Sequence, residues 1–350
     1  MNPVHIMKIA SGNPGLPDVP QKVSKRKIRH LLRTRSVIEN MVLLALLLCL
    51  FILGVWPTEL YAQTQSRVTF GVVTDVQYCA CETSGERHYS ASVGKLQAAV
   101  EVLNQRDLDF VIHLGDFIDR DFSSFDTVNT IYSQITARRY HIYGNHDFSV
   151  GAGQIPAVPG VLGLDTLGTG HGYYQFSRDS WRFVVLNGTD ISTYANAKFT
   201  TSYRRSEDMM AALQILGAPH ARDWNGGIGA AQLAWLDQTL RGADSLGQRT
   251  ILFCHFPLYP NAGYNLYNDS QVLHLLDQHS SVTAYFNGHH HAGMYGNRRG
   301  VHYVTFRGMV NTTETAFAVV TLTPQNIRIE GFGREPNRML PITASDQTTE

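Results

Sequence analysis

The chain has 350 residues, 43% hydrophobic and 17% charged, which suits one large domain, or at most two. Its 30 glycines follow no period, which excludes a collagen-like or low-complexity chain. The net charge of zero combines a basic first 40 residues with a mildly acidic remainder, which argues against a nucleic-acid-binding surface and favours clusters that hold cations.

Residues 1–62 are predicted to be a targeting segment. Basic residues come first, and residues 41–56 are then almost entirely apolar. This pattern is typical of a signal peptide cleaved near Ala62, or of an uncleaved anchor that associates with the membrane through residues 41–56. In either case the positive-inside rule predicts that the remainder is exported, to the periplasm or outside the cell. The alternative is a misassigned start codon and a cytoplasmic protein.

The first half of the folded part alternates strands and helices. Strands are predicted over 67–75, 109–114 and 140–143, and helices over 90–104 and 125–137. Polar residues follow the strands. This order predicts a layered α/β fold, whose sites lie outside the carboxyl ends of the strands.

The second half is richer in strands. A hairpin is predicted over 173–176 and 181–187, a helix over 230–240, and strands over 249–255, 282–287, 301–306, 316–322 and 326–330. Residues 190–229 form a long polar loop, with a short helix near 207–216, that we expect to act as a lid. The chain is expected to fray beyond residue 338 and to end in a polar tail at 341–350. Each half is expected to supply one sheet of a sandwich with helices outside.

The four cysteines imply no complete disulfide framework. Cys49 lies in the apolar segment, which leaves Cys79, Cys81 and Cys254. Cys79 and Cys81 could pair with each other or bind a metal, but the sequence favours ordinary loop or core thiols.

Five predicted strands end in residues able to bind a metal ion. These residues are Asp75 and Gln77, Asp116, Asn145 and His146, His255, and His289 and His291. A two-metal site needs a bridging carboxylate and further oxygen and imidazole ligands around each ion. On an extended segment the His-x-His spacing places both outer histidines on one side. Each residue alone is more often a cap or a core residue, but the ordered set predicts a two-metal centre.

The ordered motifs resemble those of the calcineurin-like metallophosphoesterases, and within that group the manganese-dependent ADP-ribose/CDP-alcohol diphosphatases. The segments that carry the resemblance are DVQY (75–78), HLGDFID (113–119), YGNHDF (143–148), WNGGIGAAQLAWL (224–236), CHFPLY (254–259), FNGHHHAG (286–293) and GFGREPNR (331–338). The resemblance implies one catalytic domain over 67–340 with an α/β fold, a four-layer αββα sandwich of two mixed sheets flanked by helices.

The resemblance also implies roles for individual residues. One metal would bind Asp75, Gln77, Asp116 and His291, and the second Asp116, Asn145, His255 and His289, with Asp116 bridging. His146 would lie near the leaving oxygen, and Asp147 would orient His146 or act as a structural cap. The candidates for holding the distal part of the substrate are Arg87, His88, Tyr264 and Tyr267.

The implied activity is hydrolysis of the phosphoanhydride bond of a nucleoside diphosphate-linked compound by a hydroxide bridging two divalent ions. Mn²⁺ is the expected ion, with Mg²⁺, Fe or Zn²⁺ as alternatives. The expected partner is a small nucleotide, and neither a nucleic acid nor a protein partner is implied. The alternatives are a cyclic-nucleotide phosphodiesterase or phosphomonoesterase of the same superfamily, and a non-catalytic metal-binding or membrane-anchored interaction protein.

Overall fold

The computed structural model describes residues 41–42 and 67–342. The predicted targeting segment, apart from Met41 and Val42, and the tail from residue 343 lie outside the described residues. Among the residues described, no helix is both long and apolar enough to cross a membrane.

Two six-stranded sheets form the framework of residues 67–342. The strands are β1 (Val68–Val73), β2 (Phe110–His113), β3 (Arg138–His141), β4 (Tyr174–Arg178), β5 (Trp181–Val185), β6 (Arg249–Phe253), β7 (Val282–Asn287), β8 (Met294–Arg298), β9 (Val301–Thr305), β10 (Ala316–Leu322), β11 (Asn326–Gly333) and β12 (Arg338–Pro341). The helices are α1 (Ser92–Asn104), α2 (Ser124–Tyr132), α3 (Val158–Val161), α4 (Thr201–Ile215), α5 (Ala230–Ser245) and α6 (Asp269–Leu276), with 3₁₀ turns at His146–Phe148 and Ile155–Ala157.

The first sheet has the order β12-β11-β10-β1-β2-β3 and the second the order β4-β5-β6-β7-β9-β8. In the first, β1, β2 and β3 are parallel, and β10 pairs antiparallel with β1. In the second, β5, β6, β7 and β9 are parallel and the two edge strands are antiparallel. The predicted α/β fold with two mixed sheets is confirmed. The expectation that each half supplies one sheet is wrong, because β10, β11 and β12 return to complete the first sheet.

Aromatic side chains pack the two sheets together. Phe70 of β1 stacks on Phe110 of β2 with ring centroids 4.6 Å apart, and it makes edge contacts with Phe183 and Phe253 of the second sheet at 5.8 Å. All six residues of β1 are buried, which explains why its sequence is mostly apolar and β-branched rather than alternating between apolar and polar residues. Each such buried aromatic contributes roughly 1.5–3 kcal/mol. This packing holds the ends of the parallel strands in fixed positions.

Several elements differ from their predictions. The chain does not fray at residue 338, because β12 pairs with β11 through Arg338 opposite Ile329. Helix α4 begins at Thr201, earlier than predicted, because the Thr200 hydroxyl accepts a hydrogen bond from the Tyr203 N–H and caps it. Helix α6 and strand β8 were not predicted, since both are short and flanked by polar loops.

Candidate metal centre

Four of the predicted ligands follow the carboxyl ends of parallel strands. Asp75 follows β1, Asp116 follows β2, His255 follows β6 and His289 follows β7. Backbone hydrogen bonds interlock the first two loops, from the Asp75 N–H to the Gly115 carbonyl and from the Gln77 N–H to the Asp116 carbonyl. Ligands from both sheets therefore meet at one edge of the sandwich.

The backbone of these loops adopts an unusual conformation at four of the candidate ligands. Asp75, Gln77, Asp116 and His289 all have positive φ angles, between 42° and 67°. A non-glycine residue in this left-handed region costs about 1–3 kcal/mol and persists only where its surroundings fix it. The angle at His289 also shows that its segment is not extended, so the expected strand-like alternation is wrong there. His289 and His291 nevertheless both reach the centre, while His290 stacks on Tyr264.

The ligand atoms form two overlapping groups. Those of Asp75, Asp116 and His291 lie within 4.8 Å of one another, and so do those of Asp116, His255 and His289. Asp116 belongs to both groups. The two groups contain five of the seven predicted ligands, divided as predicted, and Asp116 would be the carboxylate shared by the two ions.

Buried polar atoms test whether these residues fit two metal ions. Asp75 Oδ1, Gln77 Oε1, Asn145 Oδ1 and His255 Nε2 are buried and have no hydrogen-bond partner among the described residues. An unsatisfied buried polar atom costs about 1–3 kcal/mol, so four of them in one cluster need an explanation. Two divalent ions would satisfy them, and carboxylate, amide and imidazole ligands suit Mn²⁺ and its neighbours. The residues present fit the predicted metal pair.

One nitrogen of each ligand histidine is held by a neighbour. His255 Nδ1 lies 2.8 Å from the Leu114 carbonyl, His289 Nε2 lies 2.9 Å from Asn225 Oδ1, and His291 Nδ1 lies 2.7 Å from Asn311 Oδ1. Such contacts fix the tautomer and leave the other nitrogen for a metal ion. The sequence did not identify Asn225 or Asn311 as site residues, although Asn225 lies in the WNG segment that supports the family resemblance.

Charge in the centre is balanced locally. Burial would raise the pKa of Asp116, but the charges of His255 and His146 hold it well below its usual range. Burial opposes protonation of His255, but Asp116 outweighs it and raises the pKa of His255 to about 9. Burial and the neighbouring His255 lower the pKa of His289, which favours the neutral imidazole that a metal ion requires. Asp116 is thus the anionic focus of the centre.

His146 lies beside the metal ligands, but its partner differs from the predicted one. Its backbone N–H donates to Asp116 Oδ1. Its ring Nδ1 lies 3.2 Å from the Asp119 carbonyl oxygen and 3.1 Å from Asp119 Oδ1. Burial opposes protonation of His146, whereas Asp116 and Asp119 together raise its pKa. The acidic residue that contacts the His146 ring is therefore Asp119, which the sequence did not identify although it lies within the HLGDFID segment.

Asp147 is the structural cap that was the alternative prediction. Its carboxylate accepts hydrogen bonds from the backbone N–H groups of Gly144, Phe117 and Asp116. It thereby joins the loops after β2 and β3 and does not contact the His146 ring. The expectation that Asp147 orients His146 is wrong, because the 3₁₀ turn directs the two side chains to different neighbours.

The predicted substrate-binding residues lie in different environments. Tyr264 is 37% exposed and stacks on His290 at 4.3 Å, at the edge of the metal centre. Arg87 is half-buried, and its charge acts on His146. His88 is half-buried, and its N–H donates to the Val310 carbonyl. Tyr267 is 4% exposed and donates its hydroxyl to the Arg222 carbonyl, so burial contradicts the expectation that it contacts substrate.

Cys79 and Cys81 form a disulfide in the loop that follows Gln77. The expectation of ordinary thiols at these two positions is therefore wrong, because the loop brings the two Cα atoms to 5.1 Å from each other. Cys254 is a buried free cysteine.

The loop predicted to be a lid is fixed at its base. Ile191 and Gly227 form an antiparallel bridge, and the Gly229 N–H donates to Asp190. Between these points the chain contains α4, in which only Ser206 is buried. A role for this segment as a lid stays a prediction.

Gln77→His is expected to change metal preference. The Gln77 side chain contacts Asp116 and His291 through its amide, and an amide oxygen is a harder ligand than imidazole. We expect the ratio of Zn²⁺ to Mn²⁺ affinity of the metal-free protein to rise by about tenfold, measured by competition binding. Gln97→His, at a half-buried position on α1 whose amide contacts Glu101 and Gln134, is the matched control. An unchanged ratio would contradict the assigned role of Gln77.

Comparison with known proteins supports this geometry. A protein from Danio rerio named manganese-dependent ADP-ribose/CDP-alcohol diphosphatase is 30% identical over 308 residues, which cover 76% of this chain and 95% of the relative. One of the same name from Arabidopsis thaliana is 31% identical over 272 residues, covering 69% and 86%. The crystal structure of a dimetal phosphatase from Danio rerio superposes with a TM-score of 0.70 at 26% identity, covering 79% of this chain and 99% of that one.

The sequence model of the calcineurin-like phosphoesterases matches residues 68–293. This range runs from β1 to the His289–His291 segment and includes every predicted metal ligand. With the shared Asp116 and the two mixed sheets already described, the match settles the assignment. The chain belongs to the calcineurin-like phosphoesterase family.

Proposed function

We propose that this protein hydrolyses the phosphoanhydride bond of nucleoside diphosphate-linked compounds of the ADP-ribose or CDP-alcohol kind, with Mn²⁺ as its ion. The observation that carries the proposal is the pair of ligand groups that share Asp116, with His146 beside them. The relatives from Danio rerio and Arabidopsis thaliana bear the name of this activity. Gln77 would offer an amide oxygen, which is a harder ligand than the imidazole of a histidine. A harder ligand favours Mn²⁺.

The residues divide the chemistry among them. Two divalent ions in this centre would acidify a water molecule and neutralise charge on the phosphoryl oxygens. Asp116 fixes the two ligand groups relative to each other. His146, with Nδ1 held by Asp119, directs Nε2 towards the leaving oxygen and donates a proton or hydrogen bond to it. The products are a nucleoside monophosphate and the phosphate of the sugar or alcohol, and no covalent enzyme intermediate is needed.

Substrate profiling tests the proposal. The full-length, Mn²⁺-reconstituted protein is offered ADP-ribose, CDP-choline, a cyclic nucleotide and p-nitrophenyl phosphate, and the phosphate-containing products are identified. We expect the first two to be cleaved to monophosphates with the highest kcat/KM. Preference for the cyclic nucleotide or for p-nitrophenyl phosphate would replace the proposal with the corresponding alternative within the family. Turnover of none of them would favour a non-catalytic metal-binding protein.

Substitutions at Tyr264 and Tyr267 distinguish a residue that contacts substrate from one that supports the fold. Tyr264→Ala is expected to raise KM for ADP-ribose by roughly 5- to 100-fold, the range for loss of one base–aromatic stack, and to leave KM for p-nitrophenyl phosphate unchanged. Tyr267→Phe removes only the hydroxyl bound to Arg222, and we expect it to lower unfolding stability by about 1 kcal/mol without changing KM. Steady-state kinetics and urea unfolding measure the two effects. Equal KM effects would refute the distinction.

We also propose that the catalytic domain lies outside the cytoplasm. The basic and apolar pattern of residues 1–62 supports export, and the Cys79–Cys81 disulfide suits an oxidising compartment. Fractionation of cells that express the full chain tests this. Activity recovered only with cytoplasmic markers would refute it.

A further inference from the structure

The outer nitrogen of His291 begins a chain of two hydrogen bonds. His291 Nδ1 lies 2.7 Å from Asn311 Oδ1, and Asn311 Nδ2 donates to Glu86 Oε2 at 3.1 Å. The inner nitrogen, Nε2, lies 3.2 Å from Asp75 Oδ1 in the metal centre. Because Asn311 offers its oxygen inwards and its amide hydrogens outwards, it requires His291 to carry its proton on Nδ1. The Glu86–Asn311–His291 relay thus links an exposed carboxylate to a metal ligand.

The other two ligand histidines have no such carboxylate. His255 Nδ1 is held by the Leu114 carbonyl, and His289 Nε2 is held by Asn225. The amide hydrogens of Asn225 donate to the backbone carbonyls of His220 and Gly263. Among the described residues, His291 is therefore the one ligand histidine whose outer ring nitrogen is connected to a carboxylate through hydrogen bonds. This makes the two metal positions electrostatically unequal beyond their direct ligands.

Backbone contacts fix the segments that carry Glu86 and Asn311 next to each other. Arg87 and Asn311 form an antiparallel bridge, and the Thr312 N–H donates to the Glu86 carbonyl at 2.7 Å. The buried Lys95 ammonium donates to the carbonyls of Met309, Val310 and Thr312. The segment that carries Asn311 is therefore fixed independently of its side chain. A substitution at Asn311 should change the hydrogen bond without releasing the segment.

We propose that Asn311 and Glu86 are positioning residues for the metal ion bound by Asp75, Gln77, Asp116 and His291. They set the tautomer of His291 and raise the basicity of the nitrogen that faces this ion. The inference rests on the two-metal centre of the proposed function but not on the substrate. The affinity of the metal-free protein for Mn²⁺ therefore tests the role of Asn311 and Glu86 directly, whichever substrate the protein hydrolyses.

The test is titration of metal-free, full-length variants with Mn²⁺ by calorimetry, with electron paramagnetic resonance of the bound ions. Asn311→Leu is expected to weaken one of two binding steps by about 10- to 100-fold and to leave the other within about threefold. Glu86→Gln should weaken the same step by less than about tenfold, because Glu86 is exposed and its charge is screened. Glu82→Gln is the matched control, with the same charge change in the same loop and no hydrogen bond or ion pair among described residues.

The double variant Glu86→Gln with Asn311→Asp rebuilds the relay in reverse. The new amide at position 86 can donate to the new carboxylate at position 311, which accepts the His291 N–H directly. We expect Mn²⁺ affinity equal to or tighter than that of the native protein. Native affinity in Asn311→Leu would overturn the proposal. So would affinity in the double variant as weak as in Asn311→Leu, or an equal loss in Glu82→Gln and Glu86→Gln.

Discussion

Asp116→Asn is expected to lower kcat/KM by about 10³-fold or more and to reduce the bound Mn²⁺ from two ions to one or none. Asp116 is the shared member of both ligand groups, so its loss affects both ions. Metal ions supply several kcal/mol of transition-state stabilisation, and each 1.36 kcal/mol is a factor of ten in rate.

The fold should survive this substitution. Asparagine keeps the size of the side chain and the backbone N–H that donates to Asp147. Burial and the Asp116 charge together raise the pKa of Asp147 to about 7, so removing that charge relieves a repulsion in the metal-free protein. We expect an unchanged or higher Tm without metal. Asp109→Asn, at a carboxylate that accepts the Thr69 N–H, is the control and should retain both ions. Two tightly bound ions in Asp116→Asn would contradict the assignment of Asp116.

His146→Ala is expected to lower kcat by about 10²- to 10⁴-fold while both Mn²⁺ ions remain bound. The reason is that His146 contributes through proton donation to the leaving group and is not a ligand. It contacts Asp116 by its backbone N–H, which alanine retains. Metal analysis together with steady-state kinetics checks this result. Loss of one ion in His146→Ala would instead make His146 a ligand.

Its two acidic neighbours should behave differently. Asp119→Asn removes the charge beside His146 Nδ1, so we expect a lower kcat with little change in unfolding stability. Asp147→Asn replaces one acceptor oxygen in a set of four backbone hydrogen bonds, and we expect it to destabilise the protein by about 1–3 kcal/mol. If Asp147→Asn lowered kcat as strongly as Asp119→Asn at equal stability, the assignment of the orienting role to Asp119 would be wrong.

The sequence by itself predicted the strands of the metal centre and the candidate ligands that the structure brings together. The strand predictions for β7 and β10 match their bounds in the structure, because each is a short apolar run ended by polar residues. The ligand set depends on residue type and order along the chain, which are local properties. A carboxylate or imidazole directly after a buried strand lies at the sheet edge whatever the strand's neighbours are.

Tertiary structure alone decided which residues support those ligands. Asp119, Asn225 and Asn311 act through contacts that depend on loop conformation, and Asn311 is 20 residues from its partner His291. Tyr264 and Tyr267 are three positions apart, yet one is exposed beside the metal centre and the other is buried.

The sequence pattern also did not predict which strands belong to the first sheet. Val320 of β10 pairs with Phe70 of β1 across most of the chain, and an apolar run does not specify its partner. Hydrophobic periodicity is a property of a few neighbouring residues, so it determines where strands form and which side chains end them. Strand order and the partner of each buried polar atom arise from packing between distant segments. The sequence therefore determined which residues are candidate metal ligands, and the tertiary structure determined how their side chains are held.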